Sequence, residues 1–309
     1  MELSSQDWKI LQQLRERFLC GTSVQAPYWR SRRELELYHA TLGQRIAWKW
    51  RAVLAELVEI GWSLPAGALV DVGCGSGIAT EMVLEQFGWH HLTEIVLVDI
   101  SPLALAFAAE RLQERFGTLP IRRTTTVEIP PHATVVISHT LTELPLDAFE
   151  RLAEQVMVAE AIIVVEPGTS HASRRVVALR ERGRQQFSIV APCPHQERCG
   201  MLQPSNARHW CHFHVSPPAE AFTERQWARF ADALGIDVGD LPVSFLVLDK
   251  QWEAASRGQT RLIGAPDSSP VDVVIVTCSQ EGVRQQLVRK ADNPALYRLL
   301  RKHPPRWIA

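Results

Sequence analysis

Four cysteines, Cys193, Cys199, Cys211 and Cys278, are the side chains of this sequence best suited to chemistry. Three fall in one segment, APCPHQERCGMLQPSNARHWCHF, which is rich in Pro, Cys and His and has neither helical nor strand periodicity. An irregular stretch of this length needs something besides an apolar core to order it. Thiolates converging on a metal or an iron–sulfur cluster would supply that order. The first three cysteines are separated by five and then eleven residues, and the fourth follows after 66 more. Such a set suits tetrahedral zinc through four thiolates. With His195, His209, His212 and His214 nearby, three thiolates and one imidazole suit it too. Iron–sulfur clusters also take four thiolates, so spacing leaves zinc and Fe–S both open. Free buried thiols are the bland reading, and the polarity of the loop weighs against it. Cys20 and Cys74 stand apart from the set.

A second constellation lies upstream. VDVGCGSG follows one short apolar run and opens a helical one. Gly73 and Gly75 permit a sharp turn and close approach of the backbone to a ligand, and Gly77 starts the helix without a Cβ in the way. Cys74, between two of these glycines, is read as a small structural side chain. Asp99 ends the next apolar run, 22 residues after Gly77, where a carboxylate can hold two ribose hydroxyls. Residue 78 is Ile, so the third glycine falls wrongly for the dinucleotide pattern. The acid Asp71 followed by GxGxG resembles motif I of the class I S-adenosylmethionine (SAM) methyltransferases. That resemblance implies SAM as the cofactor, with Asp71 helping to hold its amino-acid part, often through water.

The elements that must position these residues follow from periodicity. Trp8, Leu11, Leu14 and Phe18 recur at helical spacing over residues 5–19. After a break at Ala26-Pro27-Tyr28-Trp29, one longer helix is expected from about Glu34 to Ile60, with Leu42, Ile46, Trp50, Val53, Leu57 and Ile60 on its apolar face. Gly61 and Pro65 close it. Strands then alternate with helices: ALVDVG, IATEMVLEQF, EIVLVDI, PLALAFAAERLQERF, a weak strand near Ile121, TVVISH, a helix from Asp147 to Met157, AIIVVEP, and a helix from Ser173 to Gly183. This predicts an α/β fold with a mostly parallel sheet covered on both faces. VSFLVLD and VDVVIVTC, joined by a polar Gly/Ser/Pro loop, are expected as an antiparallel final pair. The expected fold is a Rossmann-like, seven-stranded sheet with its last strand antiparallel. Residues 1–62 form a helical extension, and residues 63–309 the methyltransferase domain with its Cys-rich loop at 188–216.

SHTLTELP, EPGT, APCPH, RCGM, HWCHF and the late TC together resemble the predicted ribosomal-RNA methylase family of bacteria and mitochondria, over roughly residues 35–305. The resemblance implies a SAM-dependent methyltransferase of small-subunit ribosomal RNA. It also implies a structural 4Fe-4S cluster, with Cys193, Cys199, Cys211 and Cys278 as its ligands. The chain departs from the family where members carry a basic stretch after WCHF and an acidic-Lys run before the FSYL-like strand. Here those stretches read HVSPPAEAFTERQWARF and DVGDLPVSFLVL.

Strand ends in open α/β sheets carry the reacting groups, which nominates His139, Thr140 and Glu143, and Glu166 after the fifth strand. His139, Glu143 and Glu166 are candidates for a catalytic base, with packing, helix-capping and turn-fixing roles as their alternatives. No Asn/Asp-Pro-Pro-Tyr box is present, so an exocyclic base nitrogen is not indicated as the acceptor. A net charge of −1 makes no global case for nucleic acid, so the case is local. Arg174, Arg175, Arg180, Arg182 and Arg184 form one basic run. Arg284, Arg289, Lys290, Arg298, Arg301, Lys302 and Arg306 form another, and Arg30, Arg32, Arg33, Arg45, Lys49 and Arg51 a third. These suit ribosomal RNA or the small subunit, though solvated helix faces explain many such runs. An assembly factor that binds SAM and the immature subunit without methyl transfer is the main alternative, and a small-molecule methyltransferase a third reading. No apolar run is long enough to span a bilayer. The N-terminus has no apolar core of a signal peptide, and clustered thiols suit a reducing compartment, so the cytoplasm is expected.

Overall fold

The structure, a computed structural model, describes residues 3–19, 29–253 and 259–308. Cys20 and the expected break at Ala26–Tyr28 lie outside the described residues. The chain divides into two compact units, residues 1–165 with 215–241 and residues 166–214 with 242–309.

The first unit begins with α1 (Ser5–Leu19), α2 (Arg32–Ala40) and α3 (Leu42–Glu59). The single helix expected over residues 34–60 is therefore two. Thr41 takes φ −128° and ψ −87°, and its Oγ1 donates to the Leu37 carbonyl at 2.6 Å. A hydroxyl that captures a carbonyl of the last turn offers the backbone an alternative to continuing the helix. Then come β1 (Gly67–Val72), α4 (Ile78–Phe87), β2 (Leu92–Val98), α5 (Pro102–Phe116), β3 (Ile121–Thr124), β4 (Thr134–Ser138), α6 (Leu146–Gln155) and β5 (Ala161–Pro167), whose last two residues open the second unit. β1 pairs in parallel with β2 and β4, β3 extends the sheet beyond β2, and β5 beyond β4. Leu69, Val70, Val96, Val135 and Val136 are each 0 % exposed, as expected where helices cover both faces of a parallel sheet. Helix α5 starts where its sequence dictates: Ser101 Oγ accepts from the Ala104 N–H, Pro102 occupies the first turn, and Gly117 ends it.

After α7 (Ser170–Gly183), β6 (Ser188–Ala191) and β7 (Phe213–Val215), the chain forms α8 (Glu220–Thr223) and α9 (Arg225–Leu234) within the first unit. Trp227, Phe230 and Leu234 of α9 share a core with Leu11, Leu37 and Trp48, and the Trp48 and Trp227 rings lie 4.6 Å apart. The segment that departs from the family pattern thus carries an amphipathic helix whose apolar face is spent on the N-terminal helices.

The second unit holds β8 (Leu241–Asp249), β9 (Thr260–Ser268), β10 (Asp272–Ser279), β11 (Gly282–Arg289), α10 (Pro294–Lys302) and β12 (Trp307–Ile308). β8 pairs antiparallel with β6. β9, β10, β11 and β12 form a separate four-stranded sheet in the order β11-β10-β9-β12, backed by Tyr297 and Leu300 of α10. The expected final pair is corrected here: VSFLVLD and VDVVIVTC lie in different sheets. The polar segment between them contains β9, with Arg261, Leu262 and Ile263 buried in it. Strands β1 to β5 pair in parallel, β8 runs antiparallel to β6, and the four-stranded sheet is antiparallel throughout.

Candidate functional site

The loop after β1 is tied to the end of β2. The N–H groups of Gly73 and Cys74 both donate to the Val98 carbonyl, at 2.8 and 3.0 Å. Gly73 (φ 72°) and Gly75 (φ 51°) take left-handed backbone conformations that side chains disfavour. A Cβ on Gly73 would fall 2.4 Å from Thr140 Oγ1, whereas one on Gly75 would meet nothing nearer than the Gly73 carbonyl at 4.0 Å. Asp99 binds this loop with both oxygens: Oδ2 accepts from the Gly75 N–H at 2.9 Å and Oδ1 from the Ser101 N–H at 2.8 Å. A carboxylate offers about four acceptor positions, so each oxygen keeps one. Burial raises the Asp99 carboxyl above its ordinary range. Asp71 is 0 % exposed. Its Oδ2 accepts from Thr80 Oγ1 at 2.7 Å, its Oδ1 has no hydrogen-bond partner, and burial pushes its pKa up to about 6. Burial and the charges of Asp71 and Asp99 keep the Cys74 thiol protonated, in keeping with a structural role. An open turn at Gly75, two spare acceptors on Asp99 and an orphaned oxygen on Asp71 form a set of acceptors that fits a cofactor with a ribose diol and an ammonium group.

The end of β4 carries the second part of the site. His139 has φ 53°, a conformation that costs a non-glycine residue of order 1–3 kcal/mol. Its N–H donates to the Val165 carbonyl at 3.0 Å. Its Nε2 is buried without a hydrogen-bond partner, and burial with the charges of Lys49 and Arg45 holds the ring neutral. Glu143 has its pKa pushed up to about 7 by burial and then by the charge of Asp99. Glu166 is 0 % exposed and belongs to the second unit. Arg45 and Lys49 read in the sequence as part of the N-terminal basic run. Lys49 is instead only 6 % exposed, and Arg45 donates to the Asp237 and Asp240 carbonyls at 2.8 and 3.0 Å. The signal was available, since both interrupt the apolar face of α3 at i, i+4 spacing.

The structure also brings the four cysteines together. Cys199 and Cys278 pack with Val177, Met201 and Ile263, and Cys211 lies against the same group. Burial and the neighbouring Cys193 push Cys199 up to about 11. Burial with Cys193 and Cys199 pushes Cys278 up to about 12, and Cys211 is raised by burial and by all three others. Among the described residues, no group of three or more His, Cys, Asp or Glu side chains is arranged to hold a metal ion. His195 Nε2 lies 3.5 Å from Cys278 Sγ, and the Gly200 turn packs so close to β11 that a Cβ there would be 2.9 Å from the Val283 nitrogen.

The basic runs sort differently in three dimensions. Arg180 is 2 % exposed and does not belong to a surface patch, and Arg184 pairs with Glu181 at 3.1 Å. Arg32 and Arg33 pair with Glu36, Glu110 and Asp7, and Arg51 with Glu85. Arg284, Arg289, Lys290, Arg298, Arg301 and Lys302 are all exposed.

A family model described as mitochondrial small ribosomal subunit Rsm22 matches residues 38–307. No curated protein matches the chain. Among solved structures, it is similar to magnesium protoporphyrin IX methyltransferase from Synechocystis PCC 6803 with bound SAM. Identity is 14%, the match covers 81% of this chain and 100% of the other, and the TM-score is 0.41. It is similar also to the N-methyltransferase NodS from Bradyrhizobium japonicum WM9, at 11% identity over 65% of this chain and 87% of the other, with a TM-score of 0.37. Among the described residues no helix is long and apolar enough to cross a membrane.

Proposed function

The chain belongs to the Rsm22 family, and on that footing we propose that it is a SAM-dependent methyltransferase of small-subunit ribosomal RNA that carries a structural 4Fe-4S cluster. The observation that carries this reading is the loop–carboxylate unit. Gly73, Gly75 and Gly77 bring the backbone close to a ligand, and Asp99 sits beneath them with acceptors to spare. In this reading Asp99 holds the ribose hydroxyls, and Asp71 orients the amino-acid part of the cofactor through Oδ1. When bound, SAM supplies an electrophilic methyl group. The chain's own residues position the acceptor and receive its proton, with His139, Glu143 and Glu166 as the candidates at the strand ends. Glu143, with a pKa of about 7, is poised best for that exchange.

Cys193, Cys199, Cys211 and Cys278 are proposed as the cluster ligands, tying the irregular loop to β10. Zinc is the rival group. The cluster's role is structural: it orders a segment that has only two single-turn helices, Gly200–Leu202 and Pro204–Asn206, between β6 and β7. The exposed basic residues of β11 and α10 suit RNA phosphates. The working compartment is proposed to be a reducing one, the cytoplasm, although the family is described from the mitochondrial ribosome.

Mapping methyl groups on small-subunit RNA with and without the gene tests this function. A methyl group that depends on the gene, and on Asp99, is the expected result. Identical maps would favour the second reading, a SAM- and cluster-binding assembly factor without methyl transfer.

A further inference from the structure

Helix α2 carries Arg32, Glu36 and His39 along one face, and helix α5 carries Arg111, Glu114 and Arg115 at the spacing of neighbours on a helix surface. These side chains line a cavity of about 600 Å³, which Gln44 of α3 and Glu81 of α4 help to close. The volume is that of a small-molecule site. All of it belongs to the first unit, and it shares no residue with the glycine loop, Asp71 or Asp99.

Most of the charges here are answered. Arg32 pairs with Glu36 and Glu110, Arg33 with Glu36 and Asp7, and Arg115 with Glu81 and Glu85. Arg111 is answered least. Its Nη1 lies 3.7 Å from Glu114 Oε2, on a side chain that is 63% exposed, and an ion pair so open to water contributes little. Its Nε is buried with no hydrogen-bond partner. Its Nη2 lies 3.3 Å from His39 Nε2, and that same Nε2 is 3.4 Å from Glu81 Oε2. His39 is 6% exposed. Its Nδ1 makes no hydrogen bond of good geometry, although the Ser76 carbonyl favours a proton on the ring. Burial, and then the charge of Arg111, push its pKa down to about 4, so the ring is neutral at ordinary pH and carries one N–H. One nitrogen therefore faces a donor and an acceptor at once. With the proton on Nδ1, Nε2 accepts from Arg111 and turns a lone pair toward Glu81. With the proton on Nε2, it serves Glu81 and opposes Arg111. An anion that draws Arg111 away removes the conflict. Nε2–H then donates to Glu81, and the guanidinium is free to offer Nε–H and Nη–H side by side as a fork.

We propose that this cavity binds a small phosphate ester, a sugar phosphate or a nucleotide, with its phosphate on the Arg111 fork and on Arg32 of the neighbouring helix. The three oxygens of a phosphate dianion suit guanidinium groups arriving from two helices better than the two oxygens of a carboxylate. The cavity is larger than a phosphate alone. The acids nearby suit the rest of an ester, because Glu36 and Glu114, 39% and 63% exposed, can accept from its hydroxyl groups. The site is independent of the cofactor reading above.

The test is calorimetry on the full chain at constant ionic strength, with inorganic phosphate, ribose-5-phosphate and GMP as probes and acetate as the control. One of the two esters should bind once per chain, and the tighter of them identifies the source of the phosphate. R111Q should weaken that binding by roughly tenfold or more, the scale of a lost hydrogen bond to a charged group. R111K keeps the charge without the fork and should lose less. R32Q should also weaken binding. Arg32 is half exposed, so R32Q decides the matter if R111Q does not fold. R151Q, on the exposed face of α6, should change nothing. In protein with isotope-labelled histidine, the ester should raise the share of the Nε2–H tautomer of His39, a change that a merely structural arginine would not produce. Wild-type protein that binds none of the probes, or inorganic phosphate alone, would overturn the inference. So would ester binding that R111Q and R32Q both leave intact, or binding that is lost in Asp99→Ala and kept in R111Q, since the ester would then occupy the cofactor loop. Protein that ignores SAM yet binds the ester through Arg111 would remove the cofactor reading and leave this site standing.

Discussion

Asp99 Oδ2 accepts a hydrogen bond from the Gly75 N–H at 2.9 Å, so the carboxylate that ends β2 and the turn that follows β1 form one unit before any ligand arrives. The cost of ordering the turn is thereby met within the protein, and a diol that binds Asp99 finds the loop already placed. Asp99→Ala removes both the ribose acceptor and the loop's anchor. It should weaken SAM binding by on the order of 1–3 kcal/mol, the range for a lost hydrogen bond to a charged group. Calorimetry with folded protein measures this. Wild-type protein that ignores SAM, or that binds NADH in its place, would sink the cofactor assignment.

Gly73 and Gly75 make different demands, and substitution separates them. Gly73→Ala meets both a left-handed backbone and Thr140 Oγ1 at 2.4 Å. Gly75→Ala meets the backbone penalty alone. Gly73→Ala should therefore destabilise the protein more, with about 1–3 kcal/mol from backbone strain and a further loss from the clash. Adding Thr140→Ala should recover the clash part only. Urea unfolding of the three variants checks the order, and equal losses for Gly73→Ala and Gly75→Ala would contradict it.

The unit from Gly67 to Asp99 was legible in the sequence because each step has a local cause: apolar runs too short for helices, glycines where φ is positive, and an acid at a strand end. The parts that were not legible depend on partners distant in the chain. Arg180 reads as one more cation in a basic helix, and nothing local says that Cys193 and two loop carbonyls will enclose it. β9 was hidden by Gly, Pro and Ser around it, and is a strand because β10 and β12 pair with it. The break at Thr41 was missed because the apolar periodicity runs on through it, while a single hydroxyl bond to Leu37 decides the backbone.

Glu143 gives the site a pH signature with a definite sign. Its pKa rises from 4.5 to about 7 on folding. A carboxyl raised in this way contributes fully below its unfolded pKa, and that contribution is lost as pH climbs through about 7. Glu143→Gln should therefore be more stable than wild type at pH 8, by on the order of 1–3 kcal/mol after allowance for partial exposure. The two should be equal near pH 4. Unfolding curves at both values measure the difference. A gain that is the same at pH 4 and pH 8 would mean that the charge of Glu143 is not what burial and Asp99 oppose.

The basic surface offers the decisive comparison between enzyme and assembly factor. Arg289, Lys290 and Arg298 are exposed on β11 and α10 or the turn between them, with Arg289 3.9 Å from Asp292, whereas Lys49 of the N-terminal set is buried and Arg32, Arg33 and Arg51 pair with acids. If the C-terminal group meets RNA phosphates, the protein should co-sediment with small-subunit particles at low salt and leave them as salt rises, because each contact releases counterions. Reversing Arg289, Lys290 and Arg298 to Glu should abolish that association and flatten the salt dependence. SAM binding should survive, since Asp71, Asp99 and the glycine loop belong to the other unit. Asp71→Ala asks the complementary question, because it strikes the cofactor site and spares the basic face. If Asp71→Ala loses SAM yet fully restores subunit maturation in a deletion strain, methyl transfer is dispensable for that task and the assembly-factor reading stands. Should it instead lose one methyl group from small-subunit RNA and fail to restore maturation, the enzyme reading stands. A wild-type protein that binds neither RNA nor subunits at low salt would remove both, and leave a methyltransferase of small molecules.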